Sequence, residues 1–161
     1  MKRDVFKTLF DANFEALRNY LYYRSGDKEM ATDIAQECFL RLWEKQPKGD
    51  PGKLKGLLFK IGHDLFISKF RHARVVANFA LSRNGEYHSS SPDEEMQYKE
   101  LESKYQSVLK AMPEKLRVVF LMSRTEELKN REIAERLSIS IKAVEKRMSK
   151  ALAILKEALI Y

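Results

Sequence analysis

The chain has 161 residues, of which 44% are hydrophobic and 33% charged, and it carries a net charge of +7. That length suits one ordinary domain or two small ones and argues against a large multi-domain enzyme, while the apolar fraction is too high for a disordered chain. Glycine (6) and proline (4) are scarce and Val, Ile and Thr together number only 18, so strands are poorly supplied and an all-helical fold is expected.

From Asp4 to Arg24, residues Val5, Phe6, Leu9, Phe10, Phe14, Leu17 and Leu21 repeat at the three-and-four spacing of an amphipathic helix, which Ser25-Gly26 ends. Asp27 is a plausible N-cap for a second helix that buries Met30, Ala31, Ile34, Ala35, Cys38 and Leu42 before Pro47 closes it. Asp50 caps a third, with Pro51 in the tolerated first position and Leu54, Leu57, Leu58, Ile61 and Leu65 as its stripe. Phe59, Phe66 and Phe70 form a second apolar side on that helix. A helix wedged between neighbours explains them, and so does a platform on which unstacked bases sit beside Lys53, Lys60, Arg71 and Arg74.

Periodicity fails between Arg83 and Pro92, where turn formers and small polar residues cluster, and this stretch reads as a flexible linker. Ser91-Pro92-Asp93-Glu94-Glu95 then supplies an N-cap, a first-turn proline and acids suited to the positive end of a helix dipole. A long helix to about Lys110 follows. Met112-Pro113 restarts the chain into a helix through Leu116, Val119, Phe120 and Met122. Two shorter units come last, Asn130 to Leu137 and Ser140 to Leu159, each with a capping residue expected at its head. The resulting architecture is two small helical domains: residues 1–82, a linker over 83–92, and residues 93–161.

Charge is distributed in blocks. Residues 51–85 carry +6 and residues 111–161 carry +4, separated by −3 over residues 86–110. Two basic patches of this kind suit a polyanion, although basic surface also serves solubility.

The pattern in residues 130–149 is sharper. Two short helices that cross steeply need a small residue at the crossing and apolar residues on both sides of the turn. Ala134 is that small residue, with Ile133, Leu137, Ile139 and Val144 around it, and Ser138 takes the turn position often given to glycine. On a helical wheel begun at Ser140, Val144, Met148, Ala151 and Leu155 fall between about 20° and 80°, whereas Lys142, Lys146 and Lys150 fall at about 200°, 240° and 280°. That lysine stripe is either a solvated face or the side of a recognition helix that meets a major groove. Glu145 interrupts it and could accept from a cytosine amino group.

Met112-Pro113-Glu114-Lys115-Leu116-Arg117-Val118-Val119-Phe120-Leu121, followed by Glu126-Glu127-Leu128 and the run Arg131 to Ser140, resembles region 4 of bacterial sigma factors. The small two-domain extracytoplasmic-function group is the nearest in pattern. Asp33-Ile34-Ala35-Gln36-Glu37-Cys38-Phe39-Leu40-Arg41-Leu42-Trp43-Glu44 resembles the region 2 helix that docks on the polymerase clamp. The resemblance implies a transcription initiation factor whose partners are core RNA polymerase and promoter DNA, with an anti-sigma factor as a further candidate.

It further implies polymerase contacts at Asp33, Gln36, Glu37, Leu40 and Trp43, and −35 contacts at Lys142, Ala143, Glu145, Lys146, Arg147 and Lys150. Contacts to the melted −10 element would come from Lys60, His63, Asp64, Ser68, Arg71 and Arg74. Trp43 reads equally as a core aromatic, and Gln36 and Glu37 as plain solvated residues. The family often carries Asn where this chain has Asp64, and Asp where it has Ser68.

Two other functions fit parts of the sequence. One is a one-component helix-turn-helix regulator without polymerase docking, which needs a ligand or dimer domain in residues 1–80; the other is a protein-binding adaptor. An enzyme is not expected: there is no Walker loop, dinucleotide fingerprint or nucleophile motif, and His63 and Asp64 point about 100° apart on a helix. With one cysteine, Cys38, and three histidines, no disulfide, metal site, cofactor or catalytic residue is expected. The charged N-terminus and the lack of about 18 consecutive apolar residues predict a cytoplasmic chain without membrane insertion.

Overall fold

The computed structural model describes residues 1–70 and 91–160. Seven helices lie among them: α1 (Arg3–Ser25), α2 (Lys28–Lys45), α3 (Pro51–Phe70), α4 (Pro92–Ala111), α5 (Glu114–Glu126), α6 (Asn130–Leu137) and α7 (Ile141–Leu159). There are no strands among the described residues, as the composition predicts. The chain divides into two compact units, Met1–Ala77 and Asn78–Tyr161. Of the expected linker, residues 83–90 lie outside the described residues, while Ser91 and Pro92 cap and open α4.

In the first unit α1, α2 and α3 all pack on one another. Gly26, at φ 72°, ends α1 with a left-handed residue, and its N–H donates to the Tyr22 carbonyl at 2.7 Å. Asp27 Oδ1 then accepts from the Met30 N–H at 3.0 Å and starts α2. Asp50 Oδ1 does the same for α3, accepting from Lys53 N–H at 2.9 Å. Leu17, Leu21, Leu42 and Leu58 are fully buried at the centre. Burying each contributes about 1.5–3 kcal/mol before entropy is counted.

Gly62 marks where α3 comes closest. A Cβ there would lie 3.0 Å from Leu17 Cδ1 and 3.5 Å from Cys38 Sγ. Cys38 is fully buried beside it, and burial pushes its thiol up to about 12. Phe6, Phe10, Phe14 and Phe39 stack along the α1–α2 seam, with centroids 4.7 to 6.5 Å apart.

The second unit gathers α4, α5 and α6 against α7, with α5 also on α6. Ser91 and Glu94 form a capping box at the head of α4, the Ser91 Oγ accepting from Glu94 N–H and Glu94 Oε2 accepting from Ser91 N–H. Arg117 is buried, and its Nη1 donates to the carbonyls of Leu109 (3.3 Å) and Met112 (3.1 Å). These are orphan carbonyls at the end of α4, so a cation on α5 finishes the preceding helix. Asn130 does not cap α6: it is the first helical residue, and Glu132 Oε2 accepts from the Lys129 N–H at 2.8 Å instead. No helix among the described residues is long and apolar enough to cross a membrane.

Candidate functional site

Three exposed faces carry the residues singled out by sequence. The first is on α2, where Asp33, Gln36, Glu37 and Leu40 recur every three or four residues and so share one side. With Arg41 and Glu44 they line a shallow depression. Leu40 stands 55% exposed in it, more than a leucine in this core needs to be. Glu37 is held on two sides, by Arg41 Nη2 at 2.7 Å and by a short contact with Lys69 Nζ from α3. The Lys69 hydrogen bond, aided by Arg41, keeps the Glu37 carboxyl below its ordinary range, so it is charged at neutral pH.

Trp43, one turn beyond Leu40 near the end of α2, is half-buried. Its ring meets Phe6 edge-on at 4.9 Å and belongs to the α1–α2 aromatic seam. Trp43 thus meets the seam with one edge and keeps part of its surface outward.

The second face is the outer side of α3. Lys60, His63, Asp64 and Ser68 are all exposed there, while Arg71 and Arg74, expected beside them, lie outside the described residues. Phe66 is buried, with the Arg24 guanidinium 4.1 Å over its ring, and Phe59 leans on Tyr20 at 5.6 Å. These two rings are therefore wedged between helices rather than offered to bases; the Phe70 side chain lies outside what is described. Sequence reasoning missed Arg24, whose contacts span 39 residues and leave no periodic signal.

The third face belongs to the helix-turn-helix. Ser138 adopts φ 55° and ψ 45°, the left-handed turn expected of it, and Ile139 N–H donates back to Ala134 O at 3.0 Å. Ser140 Oγ accepts from Ala143 N–H at 3.0 Å and fixes the start of α7. Arg136 Nη1 meets Glu126 Oε1 at 2.8 Å with both side chains largely covered, tying α6 to the end of α5. Val144, Ala151 and Leu155 face the core, as their spacing predicts.

Lys142, Glu145, Lys146 and Lys150 are exposed, and none forms a hydrogen bond or ion pair among the described residues. Ala143 and Arg147 are half-buried on the flank of the same stripe. A helix that presents unpaired ammonium groups at four-residue spacing is equipped to follow phosphates.

Comparison with known proteins covers both units. A family model described as Sigma-70 region 2 matches residues 9–86, and one described as Sigma-70, region 4 matches residues 102–155. RNA polymerase sigma factor SigZ of Bacillus subtilis is 24% identical over 94% of this chain and 85% of its own length. Ferric citrate uptake sigma factor FecI of Escherichia coli is 27% identical over 91% of this chain and 86% of its own. ECF RNA polymerase sigma factor SigW of Bacillus subtilis is 25% identical over 98% and 90% respectively.

Proposed function

Because the chain belongs to the sigma-70 family of RNA polymerase sigma factors, in its extracytoplasmic-function group, we propose a residue-level division of labour for its three exposed faces. The protein is a transcription initiation factor, and its partners are core RNA polymerase and promoter DNA. Sigma factors are non-catalytic, so in this reading the chain makes no bond itself and acts in the cytoplasm beside the polymerase.

Asp33, Gln36, Glu37 and Leu40 on α2, with Trp43 at their edge, dock the polymerase clamp. Lys60, His63, Asp64 and Ser68 on α3, continued by Arg71 and Arg74, take the melted −10 strand. Lys142, Ala143, Glu145, Lys146, Arg147 and Lys150 on α7 read the −35 duplex. Residues 1–82 and 93–161 are the two working domains with a linker before α4, the expected 83–92 linker giving up Ser91 and Pro92 to the head of that helix.

The observation that carries this reading is the unpaired lysine stripe on α7 of a helix-turn-helix. Lysines left without carboxylate partners supply a salt-dependent, sequence-blind attraction, and Glu145 among them supplies an acceptor for base discrimination. Opening the duplex costs stacking and pairing energy, which trapping unstacked bases on the protein offsets. The free chain therefore binds promoters weakly. An anti-sigma protein is a further expected partner, which would act by covering these same faces. A regulator working without polymerase is disfavoured, because the region 2 match occupies the segment where it needs a ligand or dimer domain.

The test is co-elution with core RNA polymerase on size exclusion, for the wild type and for Gln36→Ala, Glu37→Ala, Leu40→Ala combined. Loss of co-elution in a folded triple variant supports the α2 assignment. A wild type that shifts duplex promoter DNA alone and ignores the polymerase would sink it.

A further inference from the structure

Arg24 is an unusual cation, only 6% exposed at the end of α1. Its guanidinium lies 4.1 Å over the Phe66 ring and 5.5 Å over that of Tyr20, and Nη1 donates to the Tyr20 hydroxyl at 3.3 Å. The same Nη1 stands 2.9 Å from His63 Nδ1 on α3. A guanidinium has five N–H donors and no acceptor, so Arg24 donates and Nδ1 holds a lone pair. With Nδ1 bare, the neutral ring carries its proton on Nε2.

His63 is otherwise exposed, one turn beyond Lys60 and adjacent to Asp64, and makes no other hydrogen bond among the described residues. A ring pinned inward by Nδ1 turns Nε2–H to its far side. The buried arginine thus converts an ambiguous imidazole into one defined donor.

We propose that Arg24 is a positioning residue for promoter opening: it locks His63 as a neutral Nε2–H donor for an acceptor atom on a base of the melted −10 strand. This rests on the assignment of α3 to that strand. A neutral donor gains little from a phosphate, which Lys60 satisfies better, whereas a carbonyl or ring nitrogen on a base edge suits it. An exocyclic amino group in the same place would set donor against donor, so the position discriminates.

Two measurements test this. Long-range 1H–15N correlation on the ¹⁵N-histidine-labelled chain is expected to give the Nε2–H tautomer for His63 in wild type and in Arg24→Lys, and a tautomer mixture in Arg24→Met. In reconstituted holoenzyme with fork-junction DNA whose −10 strand is single-stranded, His63→Ala and Arg24→Met each weaken capture about tenfold, the double variant no more than either alone, and Arg24→Lys restores it. A purely structural Arg24 gives additive losses instead. Should Arg24→Met not fold, the exposed position decides: His63→Gln keeps a donor and retains capture, and His63→Phe loses it.

An Nδ1–H tautomer in wild type, additive losses, or undiminished capture by His63→Ala overturns the proposal. If wild-type holoenzyme binds the −35 duplex and ignores the fork, the α3 assignment itself fails. If wild type and His63→Ala both capture the fork, only the donor role does.

Discussion

The α2 and α7 faces are both rich in charge, and they manage it in opposite ways. On α2, Glu37 is clamped between Arg41 and Lys69, so its charge is largely cancelled a few ångströms away and its geometry is fixed. On α7, Lys142, Lys146 and Lys150 are left unpaired, so their field reaches outward until salt screens it. A clamped Glu37 beside an exposed Leu40 suits a partner recognised by shape, while an open cationic stripe suits a polyanion whose charge is its most constant property.

The largest effect should follow from Lys142→Ala, Lys146→Ala and Lys150→Ala together. Holoenzyme affinity for a −35 duplex should fall on the order of a hundredfold at low salt, and the slope of log affinity against log salt should shrink by roughly 0.9 per lost phosphate contact. Fluorescence anisotropy over a salt series reads both; an unchanged slope would make the stripe an ordinary solvated face. Leu40→Ala should weaken core polymerase binding about tenfold while leaving its salt dependence alone, which calorimetry at two ionic strengths can check. A steeper salt response than that of the DNA complex would erase the contrast.

The smallest effect concerns pH. The carboxyl of Glu37 is held down chiefly by Lys69, so this contact adds stability above the ordinary carboxylate value of 4.5 and loses it as pH falls through the lowered one. The pair is partly exposed, so the gain is small. In Lys69→Met the ¹³C carboxyl signal of Glu37 should titrate closer to its ordinary range; an unmoved midpoint would leave Arg41 as the governing partner.

Helix boundaries were largely legible because caps are local. Asp27, Asp50, Ser91 and Ser140 announce α2, α3, α4 and α7 within three residues of the backbone groups they satisfy. The start of α6 misled for a local reason too: Asn130 has the chemistry of a cap, yet Glu132 reaches back and does the work one residue earlier. On α2, Asp33, Gln36, Glu37 and Leu40 stay together because their spacing follows the helical repeat; Trp43, seven residues past Gln36, falls only about 20° from it on the wheel, so its edge-on contact with Phe6 of α1 was not legible from spacing. Arg24 and Arg117 were not legible. Each is a cation whose ties cross to another helix, and no periodicity distinguishes a buried arginine from a solvated one. Phe66 sided with the core once Arg24 covered its ring.

Cys38 gives the three-helix unit a built-in clock. Its thiol sits at the crossing of α2 with Gly62 of α3, fully covered and scarcely ionised at neutral pH. A disulfide reagent in solution can reach it only when those helices part; the Cys38 thiolate, formed then with unfolded-state ease, attacks the reagent's disulfide and expels its other thiolate. The labelling rate therefore counts openings of the three-helix unit alone. Because this is the chain's one cysteine, the clock runs without background in the isolated protein.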